Sequence, residues 1–207
     1  MGLHFSKRTH PKLAKSSDAP GGHVRIIGGV WKKSVLRFPV IEGLRPTPDQ
    51  VRETLFNWLG QDLTGLCCLD LFAGSGALGF EAASRGASRV VLVERNVEAA
   101  RALRATAARL SATTLEIRGG EAAAYVAAAK ERFDVVFLDP PFRQNVLSEV
   151  LGRLPRVLNP GSRVYIEAPE PHDAGRGWRE LKRSRAGAVS YQLLEWNDDR
   201  SGLSGDI

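Results

Sequence analysis

Sulfur is scarce in this chain of 207 residues: two cysteines, Cys67 and Cys68, and a single methionine, Met1. A bridge between neighbouring cysteines would be strained, and two cysteines at no ligand spacing exclude the usual zinc centres, so no metal is expected. A chain this long buries a sizeable core without disulfide staples. Cys67 and Cys68 therefore read as small core residues in a reducing compartment. No apolar run approaches the roughly 18 residues of a membrane span, and the first twenty residues lack the apolar stretch of a secretory signal. Met1 to Ser6 matches a short myristoylation pattern that is common by chance, and nothing else points to a membrane. A cytoplasmic protein is expected. The four histidines have no neighbours that suggest a catalytic pair, and no internal repeat is visible.

What is present fits one domain plus an appendage. Hydrophobic residues at 43% and charged residues at 25% exclude disordered and fibrous classes. The net charge of +6 is unevenly placed. Residues 1–52 carry ten Lys/Arg against Asp18, Glu42 and Asp49, leaving 19 basic and 20 acidic residues for everything after. Residues 1–22 read as a basic, disordered tail. From His23 onward the charges interleave with apolar residues, and a basic ordered surface on a near-neutral domain suggests a polyanionic partner.

Residues 23–27 and 34–40 alternate as two short strands around Gly28-Gly29 and a Trp31-Lys32-Lys33 bend, a hairpin presenting Arg25, Lys32, Lys33 and Arg37. Thr47-Pro48-Asp49-Gln50 reads as a capping box with proline at the first helical position, opening a helix to Leu59. Apolar runs at 66–72, 89–93, 114–117, 133–138 and 163–167 then alternate with helical patterns at 77–84, 97–110, 121–130 and 145–158. This predicts a mostly parallel α/β sheet covered on both faces. Residues 179–184 and 188–196, joined by Arg185-Ala186-Gly187, close the chain as an antiparallel hairpin on its edge. Ligands of such sheets sit beyond the carboxyl ends of the strands, where every sharp motif of this chain falls.

Gly74-Ser75-Gly76-Ala77-Leu78-Gly79 follows a strand and opens a helix, with Glu94 at the end of the next strand. Alone, this fits a dinucleotide site. Asp70 argues otherwise, because a carboxylate aimed into the pocket repels a pyrophosphate and welcomes an ammonium. Glu94 is placed to accept two ribose hydroxyls. Together they describe S-adenosylmethionine, although Asp70 could simply cap the loop. After the fourth strand of the α/β unit comes Asp139-Pro140-Pro141-Phe142. The lone pair of an exocyclic base amine is delocalised into the ring, so a site that methylates it must hold the N–H groups. Asp139 and the Pro140 carbonyl, fixed by Pro141, can accept them, and Phe142 offers a stacking face. A structural turn capped by prolines is the alternative.

With these motifs joined, the chain resembles the RsmD family of 16S ribosomal RNA guanine-N2 methyltransferases from about Arg25 to Trp196. The similarity rests on Arg25-Ile26-Ile27-Gly28-Gly29, Arg45-Pro46-Thr47, the 51–57 stretch, Asp70 to Gly79, Ser84-Arg85-Gly86-Ala87, Glu94-Arg95-Asn96 and the Asp139–Phe142 tetrapeptide. It implies a class I methyltransferase (Rossmann-like) sheet with a small N-terminal β-hairpin and helix. The implied division is a tail at 1–22, a hairpin extension at 23–45, a methyltransferase domain at 46–198 and a flexible end at 199–207. It also implies S-adenosyl-L-methionine as cofactor and 16S ribosomal RNA within a small-subunit particle as substrate; the oligomeric state is not read from the sequence, and a monomer is the expectation. Thr47, Arg52, Asp70, Phe72, Ala73, Gly74, Ser75, Gly76, Glu94 and Arg95 are then the cofactor set. Arg25, Lys32, Lys33, Arg37 and Arg45 are the RNA set. The family's third strand leads into an adenine-contacting Asp or Asn; here Gly119-Gly120-Glu121 stands there, and Glu121 is the candidate.

Other readings stay open beside these. Arg52, on the polar side of its helix, could neutralise a carboxylate or a phosphate, or be solvated. Trp31, Trp178 and Trp196 could stack on bases or pack in the core. Arg176, Arg179, Lys182, Arg183 and Arg185 could extend an RNA surface or guard an edge strand. Glu81 reads as structural. An adenine-N6 methyltransferase, a nicotinamide oxidoreductase and a catalytically silent RNA-binding protein remain alternative functions.

Overall fold

The computed structural model describes residues 21–141, 146–173 and 175–197. The expected tail (apart from its last two residues), Phe142 and the expected flexible end at 199–207 lie outside them. An antiparallel hairpin, β1 (Gly22–Arg25) and β2 (Val35–Phe38), comes first, followed by α1 (Asp49–Leu59). Then β3 (Cys67–Asp70), α2 (Ala77–Ser84), β4 (Arg89–Glu94), α3 (Val97–Arg109), β5 (Leu115–Gly119), α4 (Ala122–Ala128), β6 (Phe133–Leu138) and α5 (Val146–Arg153) alternate. The chain closes with β7 (Leu158–Ala168), β8 (Trp178–Ala186) and β9 (Val189–Trp196).

β3 to β9 form a seven-stranded sheet in the order β5-β4-β3-β6-β7-β9-β8. The first five are parallel, and β9 runs antiparallel to both β7 and β8. The terminal hairpin therefore lies on the edge, but its second strand is the one that joins the sheet. Period-two alternation sorts the side chains between two cores. Cys68, Val135, Phe137, Tyr165, Tyr191 and Leu193 face α1, α2 and the N-terminal hairpin. Leu69, Val136, Leu138, Val164, Ile166 and Leu194 face α4 and α5. Both cysteines are free thiols, and Cys68 is fully buried, where burial pushes its thiol up.

Local chemistry moves three boundaries. No capping box forms: α1 begins at Asp49 behind Pro48, without a side-chain cap, and Thr47 is buried instead. The helix expected to run to Leu158 stops at Arg153 and gives way to a single 3-10 turn, Leu154–Val157. Pro155 explains this, since it lacks the N–H a continuing helix needs. β7 then starts at Leu158, five residues earlier than expected.

The hairpin is bolted to the domain through α2. Gly29 adopts φ +72°, and a Cβ there would stand 1.7 Å from the Ser84 carbonyl oxygen. Glycine permits that approach. Val30 and Trp31 donate backbone N–H groups to the Ser84 carbonyl and hydroxyl at 2.7 and 2.9 Å. The fully buried Glu81 accepts from the Ile27 and Gly28 N–H groups at 2.9 and 2.7 Å. It also accepts from Arg52 at 3.2 Å and Arg85 at 2.9 Å.

Candidate active site

The glycine loop leaves β3 at its carboxyl end and turns into α2. Gly76, at φ +80°, precedes the helix, and a Cβ there would meet Leu103 at 2.6 Å and Phe80 at 2.7 Å. Only glycine lets the chain bend that close to α3. Glu94, ending β4, braces the loop: Oε2 accepts from the Gly74 N–H at 2.8 Å and Oε1 from the Asn96 N–H at 2.7 Å. Each oxygen keeps a further lone pair. Asn96 caps α3 by accepting from the Glu98 and Ala99 N–H groups.

Asp70 is 2% exposed and accepts from the Gly79 N–H at 3.1 Å, so the loop-capping role is realised. Burial pushes its carboxyl up to about 7, against backbone hydrogen bonds from Gly79 and Phe72 that pull it down. Asp139 follows β6. Burial, then the charges of Glu167 and Asp70, hold it well above the usual carboxylate range, and a hydrogen bond with Thr47 opposes them. Glu167, near the carboxyl end of β7, is raised by burial, while hydrogen bonds with Tyr165 and Thr47 lower it. Thr47 thus faces both acids.

The structure gathers Thr47, Asp70, the Phe72–Gly76 turn, Glu94, Asp139 and Pro140 at the carboxyl edge of the sheet. Pro140 is buried and Pro141 exposed, with Leu44 packed over Gly74. Glu121 faces Arg95 at 3.8 Å, both largely exposed, just past the ends of β5 and β4. Phe142 is outside the described residues.

Arg52 is different. Its side chain is completely buried, bonded to the Thr47 and Arg25 carbonyls, Asp49 and Glu81. It is neither solvated nor a free charge facing a pocket, because its donors are committed to tying α1, α2 and the hairpin together. Among the RNA candidates, Arg45 lies in the segment leading to Thr47 and is exposed. Arg25 and Arg37 stand on the hairpin's outer face. Lys32 and Lys33 sit by the carboxyl end of α2, a helix length (about 12 Å at 1.5 Å per residue) from the glycine loop.

Glu167 and Tyr165 are not singled out by the sequence motifs. The available signal was an acid closing the buried run Val164-Tyr165-Ile166, the same pattern that marks Asp70. A further cavity of about 420 Å³ is lined by His172, Trp178, Glu180 and Arg183. Trp178 packs edge-on against Trp196 at 5.0 Å, and Arg179, Arg183 and Arg185 are paired with Glu195, Glu180 and Glu170.

This geometry has relatives. The profile of the family described as Conserved hypothetical protein 95 matches residues 24–195. Ribosomal RNA small subunit methyltransferase D of Escherichia coli (strain K12) is 36% identical over 188 residues, covering 88% of this chain and 95% of that protein. Its Haemophilus influenzae namesake is 39% identical over 182 residues, covering 84% and 94%. The solved structure of yhhF from Escherichia coli, described as a methyltransferase, superposes with a TM-score of 0.79 at 35% identity, covering 85% of this chain and 99% of that one. The sheet order and these likenesses make the fold that of the class I methyltransferases, and the chain belongs to the RsmD family of ribosomal RNA small subunit methyltransferases.

Proposed function

We propose that the protein transfers a methyl group from S-adenosyl-L-methionine to the exocyclic N2 of a guanine in 16S ribosomal RNA, in the cytoplasm and within a small-subunit particle. The observation that carries this reading is the placement of Asp139-Pro140 beside the Asp70 and glycine-loop turn. An acceptor pair for an amine thereby adjoins an acid-lined cofactor pocket. Two buried acids, Asp70 and Glu167, and the half-buried Asp139 at one sheet edge fit a ligand bearing an ammonium and a sulfonium, since a bound cation relieves the cost of burying their charge. Bound there, S-adenosylmethionine supplies a methyl group already activated on sulfur.

The chain's own residues do the rest. Asp70 receives the ammonium, Glu94 the ribose hydroxyls, and the loop's backbone lies close to the ligand. Thr47, Arg95 and Glu121 complete the surroundings. Asp139 and the Pro140 carbonyl accept N–H bonds from the flipped-out base, turning the amine's lone pair toward the methyl group. Arg25, Arg37 and Arg45 bind phosphates. Relatives whose names specify small-subunit ribosomal RNA support that substrate.

The test is mass spectrometry of nucleosides from small-subunit particles treated with the protein and isotope-labelled cofactor. N2-methylguanosine is expected, and N6-methyladenosine alone would overturn the base assignment. Calorimetry should show binding of S-adenosylhomocysteine and none of NAD; the reverse would overturn the cofactor.

A further inference from the structure

Glu167 stands beside Asp139 by the register of the sheet. β6 and β7 are parallel, with Leu138 paired to Ile166, so the residues that follow, Asp139 and Glu167, are cross-strand neighbours. Paired positions share a face of the sheet. Glu167 is 5% exposed; the Tyr165 hydroxyl donates to its Oε1 at 2.8 Å, and Thr47 faces both Glu167 and Asp139. An ionised carboxylate offers about four acceptor sites. The Tyr165 bond therefore orients the group without exhausting it.

A guanine whose N2 amine lies on Asp139 presents N1–H next to that amine, two adjacent donors on one edge. Adenine presents an amine beside N1, which is an acceptor. A carboxylate facing N1 accepts from guanine and is repelled by the lone pair of adenine. A fixed polar group discriminates strongly, because the wrong base leaves it buried and unpaired. We infer that Glu167 is the specificity-determining residue of this site, accepting guanine N1–H while Asp139 accepts from the N2 amine. Tyr165 and Thr47 are its positioning residues. The inference rests on the guanine-N2 reading and adds to it the group that rejects adenine.

The test compares two small-subunit RNAs, with guanine or 2-aminopurine at the position that the wild-type protein methylates. 2-Aminopurine keeps the exocyclic 2-amine and replaces N1–H by an acceptor. The wild-type protein should prefer guanine by roughly 10- to 100-fold in kcat/KM, as expected for a charge-assisted hydrogen bond. Glu167→Gln, whose amide can donate to N1, should narrow that ratio to a few-fold or invert it. A structural role for Glu167 would slow both substrates alike, and an unchanged ratio overturns the inference. Should Glu167→Gln be too slow to measure on either RNA, Tyr165→Phe reads the same ratio with one orienting donor removed: narrowed, it supports the assignment, and unchanged, it refutes it. If wild type methylates no guanine at all, the proposed function fails instead, and the two failures are told apart.

Discussion

Asp139 and Asp70 are carboxyls whose folded environment opposes their ionisation, and each leaves a signature in pH. Asp139 faces Glu167, Asp70 and the Thr47 hydroxyl. As an acceptor of amine N–H groups it works best ionised, so single-turnover methylation should rise with pH along an acid limb. A rate that stays flat from about pH 4 to pH 8 would exclude it. Asp139→Ala should lose most of kcat with cofactor affinity nearly intact, the pattern of an interaction made mainly at the transition state. For Asp70 the sign runs against stability. Its carboxyl is near 3.8 when free and about 7 when folded, so the native protein binds the extra proton between those values. Stability is therefore lost as pH rises from about 4 to 7, by roughly 2–4 kcal/mol from this group. Asp70→Asn should flatten that part of the urea-midpoint profile and stabilise the ligand-free protein at pH 8. A profile that keeps its slope would place the titration elsewhere.

Among the elements, α2 links the glycine loop to the N-terminal hairpin. Its amino end carries the glycine loop, its middle carries Glu81, and its carboxyl end holds the hairpin turn through Ser84. Arg52, Arg85 and two backbone N–H groups converge on the Glu81 carboxylate, and Arg85 also lies over the Phe56 ring at 4.7 Å. Removing one member of a buried ion cluster strands the others. Glu81→Ala should thus cost about 3–5 kcal/mol in denaturant unfolding. A double-mutant cycle with Arg52→Ala should show coupling of about 1 kcal/mol or more. Additive losses would mean that the two residues act separately. Because the same network ties β1 to α1, a variant that still folds should also loosen the hairpin, seen as faster amide exchange at Ile27 and Gly28.

At the scale of the whole molecule, charge and chemistry occupy different regions. Among the described residues, the candidate-site acids gather at the carboxyl edge of the sheet, and the exposed cations Arg25, Lys32, Lys33, Arg37 and Arg45 lie on the hairpin and the segment leading to Thr47. An RNA that spans both would release counterions along the hairpin while one base enters the acidic pocket. Neutralising Arg25 and Arg37 should reduce the slope of log affinity against log salt by roughly 0.7–0.9 for each phosphate no longer neutralised, leaving cofactor affinity alone. Lys32 and Lys33, a helix length from the loop, should contribute only if the RNA reaches that far. Filter binding with each pair replaced by Ala separates the cases, and an unaltered slope for both would make the hairpin a solvated face.

The order of strands and helices, the glycine turn, Asp70, Glu94 and Asp139 were legible in the amino-acid sequence. Each is a local pattern: periods of two and 3.6, glycines where the backbone must bend, an acid at the end of an apolar run. Partners distant in the chain were not legible. Arg52 reads as polar along its own helix, and it is buried only because Glu81 and the Arg25 carbonyl arrive from other elements. Thr47 reads as a helix cap, yet tertiary packing turns it to face two acids far along the chain, Asp139 and Glu167. Glu167 gained its neighbour Asp139 from the register of β7 against β6, and Lys32 and Lys33 stand a helix length from the glycine loop because Gly29 docks at the carboxyl end of α2. Local sequence determines what each segment can form, through backbone sterics and periodic burial. Which charges meet is decided only when the sheet and its covering helices close, because burial and pairing are properties of neighbours in space.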